Sequence, residues 1–351
     1  MKGLTHACHS IELACYTRTM QILIPHLFPD KRLLEAATQN LRLPALETLL
    51  GRGSLQACPA EGTEAALCQA LGIARQQDWP LAPITLEADG QQAGGAYWLR
   101  ADPVHLRVMR DRIVLADSSA LNLSQQEADE LSASIAQHFG DALSPIPLHP
   151  QRWYLQLAHP PRLTTTPLSV ATGRDIHPIQ PQGEESQHYR ALLNELQMLL
   201  FAHPVNQARE LRGELPVNSV WLWGGGIKPD PIQPALTLYA NDHEACALGK
   251  HCSAQLHPTP TKLEKSLIQK RSVIQLDALT PAGLCGDAYA WREALRAMEQ
   301  DWFAPLLSAL RTIDSQGLHL SDPVNGKSHY LRQTDIWKIW RRSRKLLAFV
   351  G

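Results

Sequence analysis

No apolar run in this 351-residue chain approaches the roughly 18 residues needed to cross a bilayer, so a membrane-spanning protein is not expected. Charge of one sign is also missing. The chain has 33 basic and 34 acidic side chains and a formal net charge of −1, so no global field draws it toward nucleic acid or an anionic surface. Met1–Met20 contains Cys, His and Glu but no apolar core of a leader, and a secretory signal is not expected. None of the seven cysteines forms a C-x-x-C pair, and their odd number speaks against a complete disulfide framework. Incidental thiols in a reducing cytoplasm are the expectation. The sequence has no P-loop, dinucleotide fingerprint or Ser–His–Asp order at a usable spacing, and no internal repeat.

What is present is an alternation of strand-like and helix-like segments. Residues 20–27 form a short apolar run ended by Pro25 and Pro29. Helical spacing follows over 33–50, broken near Pro44, and again over 65–71 up to Gly72. Residues 76–95 are rich in Pro, Gly and Gln and read as a linker or long loop. Strands are predicted at 97–100, 112–115 and 153–157, and a capping box of Ser124 and Glu127 opens a helix to about His138. A one-faced helix over 188–201 precedes the clearest buried strand, VNSVWLW at 217–223, which runs into Gly224, Gly225 and Gly226. A long amphipathic helix over 290–310, a short strand at 318–320 and a basic helix at 336–347 complete an α/β pattern.

Three constellations carry possible chemistry. Around the glycine triplet stand Asn206, Arg209, Arg212 and Asn218. Glycines after a buried strand bare backbone N–H groups, and two arginines can clamp a phosphate or carboxylate. The competing reading makes the triplet a tight turn and pairs the arginines with Glu210 or Glu214. His243, Cys246, His251, Cys252 and His257 have zinc-like donors, but their spacing matches no zinc module. The basic terminal segment interleaves Trp337 and Trp340 with Lys338, Arg341, Arg342, Arg344 and Lys345. Such a segment either stacks on nucleic acid or docks a partner, or it is a solvated helix with its tryptophans packed inward.

The segment HPVNQARELRGELPVNSVWLWGGG (203–226) is similar to a stretch of the archaeal-type cofactor-independent phosphoglycerate mutases. Looser likeness runs along nearly the whole chain. Residues 22–53 resemble that family's opening strand, helix and glycine, and 60–72 (AEGTEAALCQALG) its nucleophile turn and following helix. Residues 98–135 resemble its inserted domain, and 286–329 its last metal-binding segments. Within the family the chain looks closest to the branch of the regulatory protein RpfE.

The resemblance implies an alkaline-phosphatase-like core sheet flanked by helices, formed by residues 1–92 and 216–351, with a smaller inserted α+β domain at 93–215. It also implies two divalent metals, Mn or Zn, held by Asp and His and activating a serine. The departures fall on those positions. Pro25 and His26 stand where Asp-Gly is expected, and Thr63 and Glu64 where Ser-Asp is. No histidine accompanies Gly286 and Asp287, and Ser321-Asp322-Pro323 replaces Asp-His-Ser-Thr-Pro. Asp322 and His329 are the remnants of the metal set, and two or three ligands do not hold a two-metal centre.

The reading preferred from the sequence is a degenerate, non-catalytic homologue with no cofactor. Its regulatory or binding role would rest on a phosphorylated or carboxylated small molecule held by Asn206, Arg209, Arg212, Asn218 and the glycine triplet. A protein partner fits the same reading; a membrane and nucleic acid are not expected. The alternative is an active 2,3-bisphosphoglycerate-independent mutase or a related phosphatase. Thr63 would then be the nucleophile, with metal ligands from His26, Asp30, Asp287, Asp322 and His329.

Overall fold

The structure is a computed structural model that describes residues 19–116, 118–268, 271–312 and 317–349. Residues 1–18, and with them most of the segment expected to lack a leader, lie outside the described residues. In chain order the strands are β1 (Met20–Leu23), β2 (Ser54–Ala57), β3 (Tyr97–Val104), β4 (Leu106–Val108), β5 (Ile113–Leu115), β6 (Ile146–His149) and β7 (Arg152–Leu157). They continue with β8 (Ser219–Ile227), β9 (Thr237–Tyr239), β10 (Gln255–His257), β11 (Ser272–Gln275), β12 (Leu318–Asp322) and β13 (Lys327–Leu331). The principal helices are α1 (Lys31–Ala37), α2 (Pro44–Arg52), α3 (Thr63–Leu71), α4 (Leu81–Ala88), α5 (Gln125–Phe139) and α6 (Ser186–Phe201). After them come α7 (Pro204–Leu211), α8 (His243–His251), α9 (Thr280–Cys285), α10 (Ala288–Met298) and α11 (Ala304–Leu310). Among the described residues no helix is long and apolar enough to cross a membrane.

The chain divides into two compact units, Met1–Gly72 with Ile232–Gly351, and Ile73–Pro231. The first is built on a seven-stranded sheet of order β10-β9-β11-β1-β12-β13-β2. Its first five strands are parallel, and β13 and β2 add an antiparallel edge. A parallel strand covered on both faces is mostly apolar, and all four residues of β1 are buried, the polar Gln21 among them. Helices α1, α2, α10 and α11 supply one cover, with Leu34, Leu46, Trp291, Leu295, Phe303 and Leu306 packed against Ile22, Ile274 and Leu320. Pro44 begins α2 at a position where its missing N–H costs nothing. No local side chain caps that helix. The carboxylate of Glu299 does so instead, accepting from the Ala45 and Leu46 amides at 2.6 and 3.0 Å. Glu299 opens a π-helical turn, Glu299–Phe303, that interrupts the single helix expected over 290–310.

The second unit holds an antiparallel sheet of order β6-β7-β3-β8. Helices α5, α6 and α7 pack their apolar faces against it through Leu131, Ile135, Leu196, Leu200 and Val205. The anticipated capping box of Ser124 and Glu127 opens α5. Between the sheet and α4 the polar core is dense. Arg100 pairs with Asp102 through two contacts of 2.8 and 2.9 Å, both side chains being buried. The guanidinium lies over the rings of Tyr154 and Trp223, 5.2 and 5.0 Å from their centroids. Asp102 accepts further bonds from the Trp223 indole at 2.7 Å and the Trp153 amide at 3.1 Å.

The architecture is the expected α/β core plus a smaller α+β unit, but the chain changes units at 72/73 and 231/232 rather than near 93 and 215. Two packing facts explain the difference. Residues 81–88 form α4 rather than a linker, and its Ala82 and Leu86 pack on Trp98 and Tyr154. Strand β8, which begins beyond the expected boundary, pairs with β3 along nearly its whole length. The terminal helix expected at 336–347 also does not form. The segment has short 3-10 turns at Gln333–Trp337 and Leu346–Phe349. Some of its amides bond within the segment, as Arg341 to the Lys338 carbonyl, while the Arg344 amide and the Arg341 guanidinium reach the Glu47 and Arg52 carbonyls of α2.

Candidate functional site

The residues expected to hold an anion all lie in the second unit, and the side chains among them bond to the protein itself, Arg212 at the surface. The Asn206 amide donates to the Leu200 and Val217 carbonyls at 2.8 and 2.7 Å and accepts from the Val217 amide at 2.9 Å. Asn218 exchanges two bonds with the Leu106 backbone, standing in for a strand partner. Arg209 is buried, donating to the Leu215 carbonyl at 2.9 Å, to Glu127 at 3.0 Å and to the Leu121 carbonyl. Arg212 bonds Glu127 at 2.6 Å and Glu214 at 2.8 Å. Partial burial works to raise the Glu127 carboxyl, but hydrogen bonds from Ser124 and the Arg209 charge outweigh it and hold the group below its usual range. The arginines thus follow the salt-bridge reading, with Glu127 as the partner not foreseen. Their cluster ties α5, α7 and the entry of β8 together.

The glycine triplet lies within β8 and makes a bulge. Between Trp98 and Arg100 the register slips, so Leu99 faces both Gly224 and Gly225. Gly224 has φ +67°, which most side chains avoid. A Cβ on Gly225 would stand 2.3 Å from the Tyr97 hydroxyl, and one on Gly226 would stand 2.5 Å from Pro80 Cβ. Close packing with the protein's own side chains, rather than an approaching ligand, requires these glycines.

The other expected site falls at the carboxyl ends of the parallel strands in the first unit, where open α/β sheets place their ligands. After β1 the chain turns at His26, whose φ of +61° is the backbone geometry of the glycine that the resemblance expects there. Asp322, at the end of β12, holds this turn. Its carboxylate accepts from the His26 and Phe28 amides at 3.2 and 2.8 Å and from the Val324 and Asn325 amides at 3.2 and 3.1 Å. A fifth bond of 2.9 Å comes from the Asn325 side chain. The His26 ring packs over Gly283 of α9, where an added Cβ would meet it at 2.6 Å. Thr63 is the first residue of α3, after Gly62 at φ +92°, and the Gly62 amide donates to the Pro323 carbonyl. The threonine is buried, and among the described residues its hydroxyl has no hydrogen bond to a base. Beside it lies a cavity of about 40 Å³ whose lining includes Gln21, Cys58, Gly62, Ser321 and Ser328. That volume suits ordered water rather than a phosphorylated metabolite. Burial, reinforced by the Asp322 charge, pushes the Cys58 thiol up to about 11, so it is no thiolate nucleophile at neutral pH.

His329, on β13, is stacked on Phe28 at 5.7 Å and edge-on to Phe349 at 4.9 Å. Neighbouring His319 lies against Tyr330 at 4.6 Å. Burial brings both rings down to about 4. Folding disfavours their charged form, so their contribution is complete above pH 6.5 and is lost as the pH falls through 4. Acidification from pH 7 to 4 should therefore destabilise this unit by about 3 kcal/mol per ring. Urea unfolding over a pH series measures it, and His329→Gln should flatten the slope. The sequence reading passed over one further pair here. Asp242, the N-cap of α8, is pushed up to about 6 by burial and by the charges of Glu244 and Asp277, and Asp277 is raised by burial.

These donors do not fit a two-metal centre. Asp30 caps α1 through the Leu33 amide, and Asp287 caps α10 through the Tyr289 and Ala290 amides. Asp322 is enclosed by N–H groups, and His329 is enclosed by rings. Among the described residues no three His, Cys, Asp or Glu side chains gather as a metal site, and this includes the His243–His257 set.

No family model matches the chain. Among known proteins, a probable 2,3-bisphosphoglycerate-independent phosphoglycerate mutase of Geobacter sulfurreducens is 30% identical over 152 residues, which is 42% of this chain and 38% of that one. The corresponding mutase of Methanosarcina mazei is 36% identical over 64 residues, 18% of this chain and 16% of its own length. The matched segments thus span well under half of these relatives. A solved cofactor-independent phosphoglycerate mutase from Thermoplasma acidophilum aligns over 95% of both chains at 16% identity, with a TM-score of 0.46. Over part of its length, then, this chain is similar in sequence to 2,3-bisphosphoglycerate-independent phosphoglycerate mutases.

Proposed function

We propose that the chain is a phosphoglycerate-mutase-like scaffold, of alkaline-phosphatase type, that acts by binding rather than by phosphoryl transfer, as a regulatory protein of the kind represented by RpfE. The observation that carries this reading is Asp322. The remaining carboxylate of the expected metal set accepts five hydrogen bonds from its own loops and has become a structural clamp. A carboxylate surrounded by N–H donors has no lone pair aimed at a cation. Asn206, Arg209, Arg212 and Asn218 already bond the protein itself, which weighs against their carrying the phosphorylated or carboxylated ligand expected from the sequence.

The test is metal content by mass spectrometry after dialysis against manganese and against zinc, beside a coupled assay of 3-phosphoglycerate conversion. The expected result is no stoichiometric metal and no turnover above background. The alternative, an active mutase or phosphatase, rests on Thr63 at the start of α3 behind a left-handed glycine. Two tightly held ions per chain, with turnover abolished by Thr63→Ala, would establish it and overturn the binding reading.

A further inference from the structure

We propose that residues 337–347, together with the end of α2 and the start of β2, form a docking surface for an acidic protein segment that carries apolar side chains. From Ile336 to the last residue the sequence has no acidic side chain, yet it includes Lys338, Arg341, Arg342, Arg344 and Lys345. In a chain of net charge −1 this is a concentrated positive patch. Among the described residues, Lys338 is the one of the five that forms an ion pair, with Asp335. Lys345 lies near Glu47 and works against the burial that raises that carboxyl. The guanidinium of Arg341 donates to the neutral Arg52 carbonyl at 2.8 Å, and, against the burial that raises it, its charge helps Lys338 hold the Asp335 carboxyl below its usual range.

Large apolar groups stand exposed among these cations. Trp337 is 61% exposed, Ile339 76% and Trp340 73%, and Leu55 at the start of β2 is 56% exposed. Trp340 and Leu55 line one groove of about 800 Å³ with Gly51, Arg342, Arg344 and Phe349, large enough for several residues of peptide. Apolar side chains that share a groove and carry a cationic rim mark an interaction site, unlike scattered exposed ones.

The surface is held in place before any partner arrives. The Arg52 guanidinium bonds the Ile336 carbonyl, and the Arg344 amide reaches the Glu47 carbonyl. Gly51 lets the strap lie directly on α2, since a Cβ there would meet the Arg342 carbonyl oxygen at 2.6 Å. Preorganised tryptophans beside arginines are the usual anchors of protein recognition. Ile339 and Leu55 offer aliphatic surface on which a base cannot stack, so the composition favours a protein segment over a nucleic acid strand.

The test uses the full chain. A random-peptide display library is panned against it, with Trp337→Ala/Trp340→Ala as counter-selection. The enriched peptides are then labelled and titrated by fluorescence anisotropy beside an oligothymidylate. The expected peptides are acidic with aliphatic or aromatic residues. They should lose roughly tenfold or more in affinity against Trp337→Ala/Trp340→Ala and, separately, against Arg342→Glu/Arg344→Glu, and bind more weakly as salt rises. All four positions are exposed, so circular dichroism should show both variants folded. The proposal is overturned if no peptide is enriched over the variant, if the enriched peptides lack acidic residues, or if oligothymidylate binds more tightly than any of them.

Discussion

Asp322→Ala should destabilise the sheet unit by about 3–5 kcal/mol in urea unfolding, the range for a buried charged group that anchors a network. The carboxylate is fully buried and joins the turn after β1 to the turn after β12 by four backbone bonds and one side-chain bond. Its removal takes the carboxylate acceptor from four amides in those two turns, each of which carries a desolvation cost. Asp322→Asn should fall between the two, since one oxygen still accepts while the new NH2 faces donors. If Asp322 were instead kept to hold a cation, the metal-free protein would tolerate alanine, and manganese would raise the melting temperature of the unsubstituted chain alone. An alanine variant as stable as the parent would remove the central argument for a structural role.

Asp102→Ala should cost the other unit a similar amount, about 3–5 kcal/mol, because it removes the carboxylate that pairs with the buried guanidinium of Arg100. The ring contacts with Tyr154 and Trp223 partly compensate that charge but do not replace the lost acceptor. The pair itself is a poor guide to net stabilisation, since taking two ions out of water offsets much of their attraction. The double variant Arg100→Met/Asp102→Leu should therefore be more stable than Asp102→Ala alone. A double variant less stable than the single one would mean that the ion pair contributes more than its desolvation costs. The Trp223 indole and Trp153 amide lose their acceptor in either variant, so that loss cancels in the comparison.

Much of the fold was legible because local signals agreed with tertiary demands. Pro44, the Ser124–Glu127 box and the apolar run before Gly224 each mark an element that exists. Reading failed where a distant partner decides the outcome. Residues 81–88 look like a linker by composition, yet Ala82 and Leu86 become helical by packing on Trp98 and Tyr154. The basic end looks amphipathic, yet its amides bond two or three residues back or reach α2, not four residues back as in an α-helix. For the candidate sites, sequence located the chemistry-bearing residues but not their occupation. Arg209 reads as an anion clamp until Glu127, far off in sequence, is brought beside it. Asp322 reads as a metal remnant until the amides of His26 and Phe28 close around it.

The place of β1 in the sheet has a consequence for how the protein is made. β1 is flanked by β11 and β12, whose residues are synthesised last, while Ile73–Pro231 is one continuous stretch. On the ribosome the middle stretch is complete once Pro231 has emerged, whereas the largely apolar Met20–Leu23 must wait unpaired. At ordinary elongation rates the wait is on the order of tens of seconds. The N-cap of α2 is delayed with it, because Glu299 arrives only late in synthesis. The nascent chain therefore displays an unmated strand and an uncapped helix for most of its synthesis, as a chaperone client does.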